Sequence, residues 1–154
     1  MLKIYKLDTN LYQGALPKNI DKDLISQLGE ELAVISLLDR LDSTYDNEQP
    51  SDNNVPYIYC RFPISDGPFP GIKWLDMVVK CIANLIALDK KVYVHCYAGI
   101  SRSTMVSAAY LMKTYGWIRD YALEYIAKIN PRLDPNSNFL RGLNLWQDHI
   151  TKSY

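Results

Sequence analysis

A cysteine and an arginine six residues apart are the side chains of this sequence best suited to chemistry. Residues 95–103 read HCYAGISRS, and the apolar run Val92–Val94 before them is typical of a buried strand. The residues from Ser103 onwards follow the pattern of a helix. The thiol of Cys96, the cation of Arg102 and a row of backbone N–H groups therefore converge at a helix N-terminus. Such a site binds a phosphate dianion and places a sulfur to attack it.

Three groups in this loop favour the thiolate, which is the reactive form of a cysteine. They are the N–H groups of residues 97–102, the positive end of the following helix, and Arg102. We therefore predict that Cys96 is the nucleophile and that Arg102 binds two phosphate oxygens at once. Phosphate, sulfate or vanadate is expected to bind in the same loop. The residues predicted to surround the phosphate group are Tyr97, Ala98, Gly99, Ile100, Ser101 and Arg102.

The two residues flanking this set have supporting roles in the prediction. Ser103 donates a hydrogen bond to the sulfur when the sulfur leaves in the second step. His95 comes from the strand, so we expect it to point away from the ligand and to support the loop through hydrogen bonds.

The departing oxygen of a phosphoester needs a proton, and a carboxylic acid on a neighbouring loop is the natural donor. Asp66 lies in residues 62–70, FPISDGPFP, between a strand-like run and a long helical one. We predict Asp66 as the general acid, which then activates the water that hydrolyses the cysteinyl-phosphate. Two alternatives stay open: Asp-Gly is also an ordinary turn pair, and Asp39 or Asp42 on another loop compete for the role.

Strand-like and helix-like segments alternate along the chain, which predicts an α/β fold with a mostly parallel sheet. Because the carboxyl ends of parallel strands meet at one edge, the loops after residues 38, 62 and 95 should lie together. Residues 39–56 form a long acidic loop, either a solvated connection or an acidic rim of the site. Strands are predicted at 2–7, 11–14, 33–38, 57–62 and 92–95, and helices at about 21–28, 72–88, 102–115, 119–129 and 136–151.

The composition is that of one soluble domain over residues 1–154. Lys plus Arg and Asp plus Glu are 17 each, so the charge balance points to neither nucleic acid nor an anionic membrane as a partner. No apolar run approaches the length of a membrane span. Three cysteines without a spacing framework indicate a reducing, cytoplasmic compartment. Cys60 and Cys81 are read as core residues, the alternative being a protective disulfide between one of them and Cys96.

On these residues the chain resembles a dual-specificity protein phosphatase of the cysteine-dependent protein tyrosine phosphatase superfamily. The resemblance implies a single-domain fold with a central sheet of about five strands and helices on both faces. It implies the roles given above for Cys96, Asp66, Arg102 and Ser103, and that Asn136 braces the loop. The family often has Arg-Pro where this chain has Asn130-Pro131. The matching segments run in the family's order over nearly the whole chain: LYQG at 11–14, VISL at 34–37, PISD at 63–66, HCYAGISRS at 95–103, PN at 135–136 and FL at 139–140.

The resemblance also bears on the substrate. The chain lacks the extra segments that deepen the pocket of tyrosine-only relatives, which implies a shallow site open to phosphotyrosine and to phosphoserine or phosphothreonine. Lipid-directed members tend to carry lysines inside the loop, and this loop has none. We therefore predict a monomeric phosphoprotein phosphatase that uses a cysteinyl-phosphate intermediate and neither metal nor cofactor. The alternatives are a phosphatase of carbohydrate, lipid or RNA 5′-phosphates, and a catalytically weak module that binds phosphorylated partners.

Overall fold

Five strands form one central sheet in the order β1-β2-β5-β3-β4. The computed structural model describes residues 2–42 and 56–152. β1 is antiparallel to β2, and the other three neighbouring pairs are parallel, so the predicted mostly parallel sheet is confirmed. The strands are β1 (Ile4–Asp8), β2 (Leu11–Gly14), β3 (Leu32–Ser36), β4 (Ile58–Arg61) and β5 (Lys91–His95).

Within residues 2–42 and 56–152, four long helices and one short one accompany the sheet. The first helical segment is irregular: a π-helical turn, Asp21–Ile25, leads into α1 (Ser26–Leu28). The π-helical turn departs from the regular helix predicted here, and the Ser26 hydroxyl donates to the Lys22 carbonyl within this segment. None of the helices within the described ranges is long and apolar enough to cross a bilayer. The long helices are α2 (Ile72–Ala87), α3 (Arg102–Tyr115), α4 (Arg119–Ile129) and α5 (Ser137–Lys152).

Both faces of the sheet are covered, because successive side chains of a strand point to opposite sides. Val92 and Val94 of β5 pack into the main core with α2, α3, α4 and α5. Tyr93, between them, packs into a smaller core with Leu24 and Leu28 beside α1. The α3 helix lies deepest, since every residue from Arg102 to Met112 is buried. The predicted placement of helices on both faces is confirmed.

The parallel register brings three strand ends to one edge of the sheet. Ser36 at the end of β3 pairs with both Arg61 and His95, the last residues of β4 and β5. The chain continues this pairing beyond the strands, with Leu37 N donating to His95 O at 3.0 Å. The loops after these strands therefore emerge side by side, as predicted. Asp39 and Asp42 lie within the described residues, whereas the acidic loop from residue 43 to 55 lies outside them.

Candidate active site

The loop from Cys96 to Ser101, called here the cysteine loop, joins β5 to α3, and five of its six carbonyl groups accept hydrogen bonds from described residues. With these carbonyls occupied, the peptide N–H groups are the backbone groups of the loop suited to binding an anion. The contacts are His95 Nδ1 to Cys96 O at 3.1 Å, Leu16 N to Tyr97 O at 3.1 Å, Gln13 Nε2 and Asn130 Nδ2 to Gly99 O at 3.2 Å each, Asp134 N to Ile100 O at 2.7 Å, and Met105 N to Ser101 O at 3.0 Å.

Gly99 allows the cysteine loop to curl against the end of β2. Its φ is +75°, a region that side chains disfavour. A Cβ at this position would lie 2.5 Å from the carbonyl carbon of Gly14 and 2.7 Å from the backbone nitrogen of Ala15. The chain around Gly14 therefore forms a wall directly behind the loop, and only glycine fits there.

Cys96 is buried in a small cavity at the centre of the loop. Its exposure is 2%, and its sulfur lies 3.3 Å from the hydroxyl oxygen of Ser103. The cavity has a volume of about 220 Å³, which is below the range of roughly 300–1,000 Å³ for pockets that enclose a whole small molecule. It therefore suits the phosphate end of a larger substrate. Its lining residues are Asp42, Asp66, Cys96, Tyr97, Ala98, Ile100, Ser101 and Arg102. Gly99, also predicted near the phosphate, is not among them.

Arg102 enters this cavity with one edge of its guanidinium already occupied. Its Nη1 donates to Asp42 Oδ2 at 2.9 Å and to the Ile64 carbonyl at 3.0 Å, and its Nη2 donates to Asp42 Oδ1 at 3.1 Å. These bonds use three of the five N–H hydrogens of an arginine. Within the described part of the chain, the Nε–H and one Nη2–H remain, and they share the other edge. That edge presents two parallel N–H donors, a geometry that suits two oxygens of a phosphate.

Asp42, which the sequence left open as an alternative general acid to Asp66, is unsuited to that role. Burial would raise its pKa, but hydrogen bonds from the Arg102 side chain and the Asp39 backbone outweigh burial and hold the pKa below its usual value. The carboxyl is therefore ionised at neutral pH and has no proton to give. The partner arginine responds in the opposite way: burial would lower its pKa, and the bond to Asp42 and the nearby negative charges raise it instead.

Asp66 reaches the same cavity from the loop after β4. The Ser101 hydroxyl donates to its Oδ1 at 2.7 Å, and Asn136 Nδ2 donates to the same oxygen at 2.9 Å. Both bonds go to Oδ1, and no described residue donates a hydrogen bond to Oδ2. Asn136 Nδ2 also donates to the Gly67 carbonyl at 3.2 Å, and Asn136 N donates to Ser101 Oγ at 3.1 Å. Asn136 thus links the aspartate loop to the cysteine loop.

His95 and Tyr97 occupy opposite sides of the cysteine loop. His95 is fully buried and stacks on Tyr93 at a centroid distance of 5.8 Å. Its Nδ1 faces the Cys96 carbonyl, which can only accept, so that nitrogen carries the hydrogen. Tyr97 is 49% exposed at the rim of the cavity, where a substrate's own chain would pass.

Two buried amides behind the cysteine loop were missed as functional candidates. Gln13 and Asn130 are 0% and 1% exposed, and the side-chain nitrogen of each lies 3.2 Å from the Gly99 carbonyl oxygen. Asn130 stood out only as a departure from the family's arginine. Gln13 interrupts the apolar surroundings of LYQG, and an unpaired amide in a buried strand is a signal that could have found it.

The other two thiols lie next to each other. Burial raises the pKa of the Cys81 thiol to about 11, and the adjacent Cys60 thiol adds to this effect. Cys81 is therefore protonated and unreactive at neutral pH. All three cysteines are free thiols in the structure. Within residues 2–42 and 56–152, no group of three or more His, Cys, Asp or Glu side chains is placed to hold a metal ion.

Comparison with known proteins supports the same chemistry. Residues 19–149 match the family model described as "Dual specificity phosphatase, catalytic domain". Dual specificity protein phosphatase 8 of Mus musculus is 34% identical over 132 residues, covering 85% of this chain and 19% of its own length. The tyrosine-protein phosphatase yvh1 of Schizosaccharomyces pombe is 41% identical over 75 residues, which are 49% of this chain and 23% of the yeast protein. The chain thus spans about a fifth of the length of these curated relatives.

Solved structures extend the likeness to nearly the whole chain. The crystal structure of PTPMT1 superposes with a TM-score of 0.81 and 26% identity, covering 98% of each chain. PTPMT1 in complex with PI(5)P gives a TM-score of 0.83, with 26% identity and 97% of each chain covered. The family match over residues 19–149 coincides with the segment that carries Cys96, Arg102 and Asp66. This chain belongs to the dual-specificity phosphatase catalytic domain family, within the cysteine-dependent protein tyrosine phosphatase superfamily.

Proposed function

We propose that this chain is a phosphoprotein phosphatase that hydrolyses phosphotyrosine and phosphoserine or phosphothreonine through a cysteinyl-phosphate. The observation that carries the proposal is the buried sulfur of Cys96, which shares a cavity of about 220 Å³ with Arg102 and Asp66. These residues supply a nucleophile, a cation and a proton donor within one site. We further propose that residues 1–154 act as a single, monomeric, cytoplasmic domain.

In the first step the substrate phosphate rests on the loop N–H groups and on the open edge of Arg102. The Cys96 thiolate attacks the phosphorus in line with the leaving oxygen. The phosphorus–oxygen bond breaks, and its electron pair leaves with that oxygen. Asp66 transfers a proton to the leaving oxygen, so the product departs as an alcohol or phenol. The charge that builds up on the equatorial oxygens is stabilised by donors already in place.

In the second step water hydrolyses the cysteinyl-phosphate. Asp66 is now a carboxylate and accepts a proton from the attacking water. The water oxygen bonds to phosphorus as the phosphorus–sulfur bond breaks, and its electron pair returns to Cys96 as a thiolate. The Ser103 hydroxyl, whose oxygen lies 3.3 Å from the sulfur, donates a hydrogen bond to that thiolate and keeps its proton. Inorganic phosphate then leaves, and the cycle closes without a net change in the enzyme.

A second candidate function is favoured by a basic pocket that shares Ala98 with the site. This pocket has a volume of about 400 Å³ and contains Lys3, Lys18 and Arg132. Its one carboxylate, Asp23, already accepts the backbone N–H groups of Lys18 and Asn19, at 2.9 and 3.1 Å. The pocket would suit a second anionic group on the substrate. A phosphorylated lipid headgroup has such groups, and PTPMT1, a structural neighbour, was crystallised with PI(5)P.

The two functions separate in a direct comparison of substrates. We expect a phosphotyrosine and a phosphothreonine peptide both to be hydrolysed, with kcat/KM at least about 10-fold above that for short-chain phosphatidylinositol 5-phosphate, a difference of about 1.4 kcal/mol in transition-state binding. Phosphate release is measured for each compound, with Cys96→Ser as the blank. A higher kcat/KM for the lipid would establish the second function instead. Tight phosphopeptide binding without hydrolysis would leave a phospho-binding module.

Asp42 is expected to position Arg102 for the phosphate. The change Asp42→Asn keeps the shape of the side chain but removes the charge that holds the Nη1–Nη2 edge. Hydrogen bonds between charged groups contribute about 1.5–3 kcal/mol, so kcat/KM should fall by about 10–100-fold. Steady-state kinetics on an aryl phosphate measure the effect. The matched control is Asp148→Asn, an exposed aspartate on α5 that should leave kcat/KM unchanged. An unaltered rate for Asp42→Asn would remove the positioning role.

A further inference from the structure

A chain of buried amides runs from the segment after α4 to the nucleophile. Asn130 and Gln13 are almost fully buried, and neither takes part in the two chemical steps described above. Each side-chain amide has a donor end and an acceptor end. Because water does not reach them, the direction of each amide is decided by its protein neighbours alone.

The direction is set first at Asn130. The backbone N–H of Arg132 donates to Asn130 Oδ1 at 3.2 Å. A backbone N–H only donates, so it identifies the oxygen end of this amide. The Nδ2 end of Asn130 then faces two acceptors, the Gly99 carbonyl and Gln13 Oε1, each at 3.2 Å.

Asn130 in turn fixes Gln13. The opposite orientation of Gln13 would place two NH₂ groups face to face, so its oxygen must point to Asn130. Its Nε2 has two hydrogens and faces three acceptors: Thr104 Oγ1 at 2.9 Å, Ser103 Oγ at 3.0 Å and the Gly99 carbonyl at 3.2 Å. The Gly99 carbonyl is the farthest of the three and has a second donor in Asn130 Nδ2, so we assign the two hydrogens to Thr104 and Ser103. Thr104 is able to accept, because its own hydrogen goes to the Ile100 carbonyl at 3.0 Å.

The same reasoning fixes the Ser103 hydroxyl. Its oxygen accepts from Gln13, so its single hydrogen is free to be donated elsewhere, and the Cys96 sulfur lies 3.3 Å away. We propose that Asn130 and Gln13 are positioning residues, which hold the Ser103 hydroxyl as a hydrogen-bond donor to the Cys96 sulfur and so assist the breakdown of the cysteinyl-phosphate. This proposal deepens the proposed function and depends on its two-step route.

The two steps make different demands on this hydrogen bond. When the cysteinyl-phosphate forms, the sulfur loses negative charge, and a donor to it brings no advantage. When the cysteinyl-phosphate breaks down, the electron pair of the phosphorus–sulfur bond returns to sulfur while the water proton goes to Asp66. A donor aimed at the sulfur stabilises that charge as it develops. The hydrogen bonds from Asn130 through Gln13 to Ser103 are called here the relay. Loss of the relay should therefore slow the second step and leave the rate of the first unchanged.

The test is Gln13→Met, which keeps the length of the side chain and removes both ends of the amide. Rapid-quench kinetics with p-nitrophenyl phosphate, a generic aryl phosphate, separate the two rates. We expect formation of the cysteinyl-phosphate to stay within about 2-fold of wild type and its breakdown to fall by about 10-fold, which corresponds to part of one charge-assisted hydrogen bond. A burst of p-nitrophenol and accumulated phosphoenzyme are the signatures.

Ser103→Ala provides the decisive comparison. If Gln13 acts through Ser103, the double variant is no slower in breakdown than Ser103→Ala alone. Defects that multiply in the double variant, or formation and breakdown slowed equally, would overturn the relay and leave Gln13 a structural residue. Wild-type turnover of the aryl phosphate is the separate check on the proposed function, since it does not depend on the variants.

A second variant covers the case in which Gln13→Met does not fold. Asn130→Asp has nearly the same size but offers no donor, so Gln13 would turn its Nε2 to the new carboxylate and its oxygen to Ser103. The Ser103 hydroxyl would then donate to Gln13 in place of the sulfur. We expect the same selective loss of breakdown, and a wild-type ratio of the two rates would refute the relay.

Discussion

Turnover falls below detection, by at least about 10⁴-fold, when Cys96 is replaced by serine. A serine hydroxyl is not ionised near neutral pH, and neither described carboxyl group of the cavity is suited to take its proton. Both oxygens of Asp42 are bonded to Arg102, and Asp66 must itself be protonated for the first step. The substitution is nearly isosteric at a site that is 2% exposed, so the fold should be retained. Release of phosphate from a phosphotyrosine peptide is the measurement, at enzyme concentrations high enough to detect a 10⁴-fold loss.

The same variant should still bind the peptide. The proposed phosphate contacts come from the loop N–H groups and from Arg102, and none of these changes in the variant. Calorimetry of Cys96→Ser should therefore detect binding of the phosphotyrosine peptide, and inorganic phosphate should compete with it. Cys81→Ser is the matched control, since burial raises the pKa of Cys81 to about 11 and leaves it without a reactive thiolate. Full activity of Cys96→Ser, or loss of activity in Cys81→Ser, would show that Cys96 is not the nucleophile.

The sequence was sufficient for the fold because its strands and helices have distinct periodicities. Because side chains alternate along β5, Val92 and Val94 pack into the main core on one face of the sheet, and Tyr93 packs into the smaller core on the other. The strand-then-helix order places the loops that carry Asp66 and Cys96 at one edge of a parallel sheet. The first helix has the predicted bounds, 21–28, but its regularity was not predicted, since Asp21–Ile25 forms a π-helical turn.

The contacts that set the site were beyond sequence reasoning, since they join residues distant in the chain. Asp42 and Arg102 are 60 positions apart, and Gln13 and Ser103 are 90 positions apart. The pattern of the acidic loop does not distinguish an aspartate that holds an arginine from one that gives a proton. Only the bidentate geometry at Arg102 assigns Asp42 to the first role. Asp39 does not line the cavity, whereas Asp66 does, and this supports the proposal that Asp66 is the proton donor.

The effect of Asp66→Asn should depend on the leaving group. Asparagine preserves an oxygen for the bonds from Ser101 and Asn136, so the aspartate loop keeps its position, but it has no proton to transfer. For a phosphothreonine peptide, whose alkoxide is a poor leaving group, we expect kcat to fall by about 10²–10⁴-fold. For p-nitrophenyl phosphate, whose phenoxide leaves without help, formation of the cysteinyl-phosphate should change by less than about 10-fold.

The second step provides an independent test of the same residue. Because Asp66 also accepts the proton of the attacking water, Asp66→Asn should slow breakdown of the intermediate even when the leaving group is good. With p-nitrophenyl phosphate the variant should therefore release one equivalent of p-nitrophenol rapidly and then turn over slowly. Asp42→Asn removes a carboxylate from the same cavity but keeps the proposed general acid. The fall in rate that it causes should therefore be similar for good and poor leaving groups. Two results would show that Asp66 is not the general acid. One is a fall in rate for Asp66→Asn that is equal for the two substrates, and the other is a fall for Asp42→Asn that is larger for the poorer leaving group.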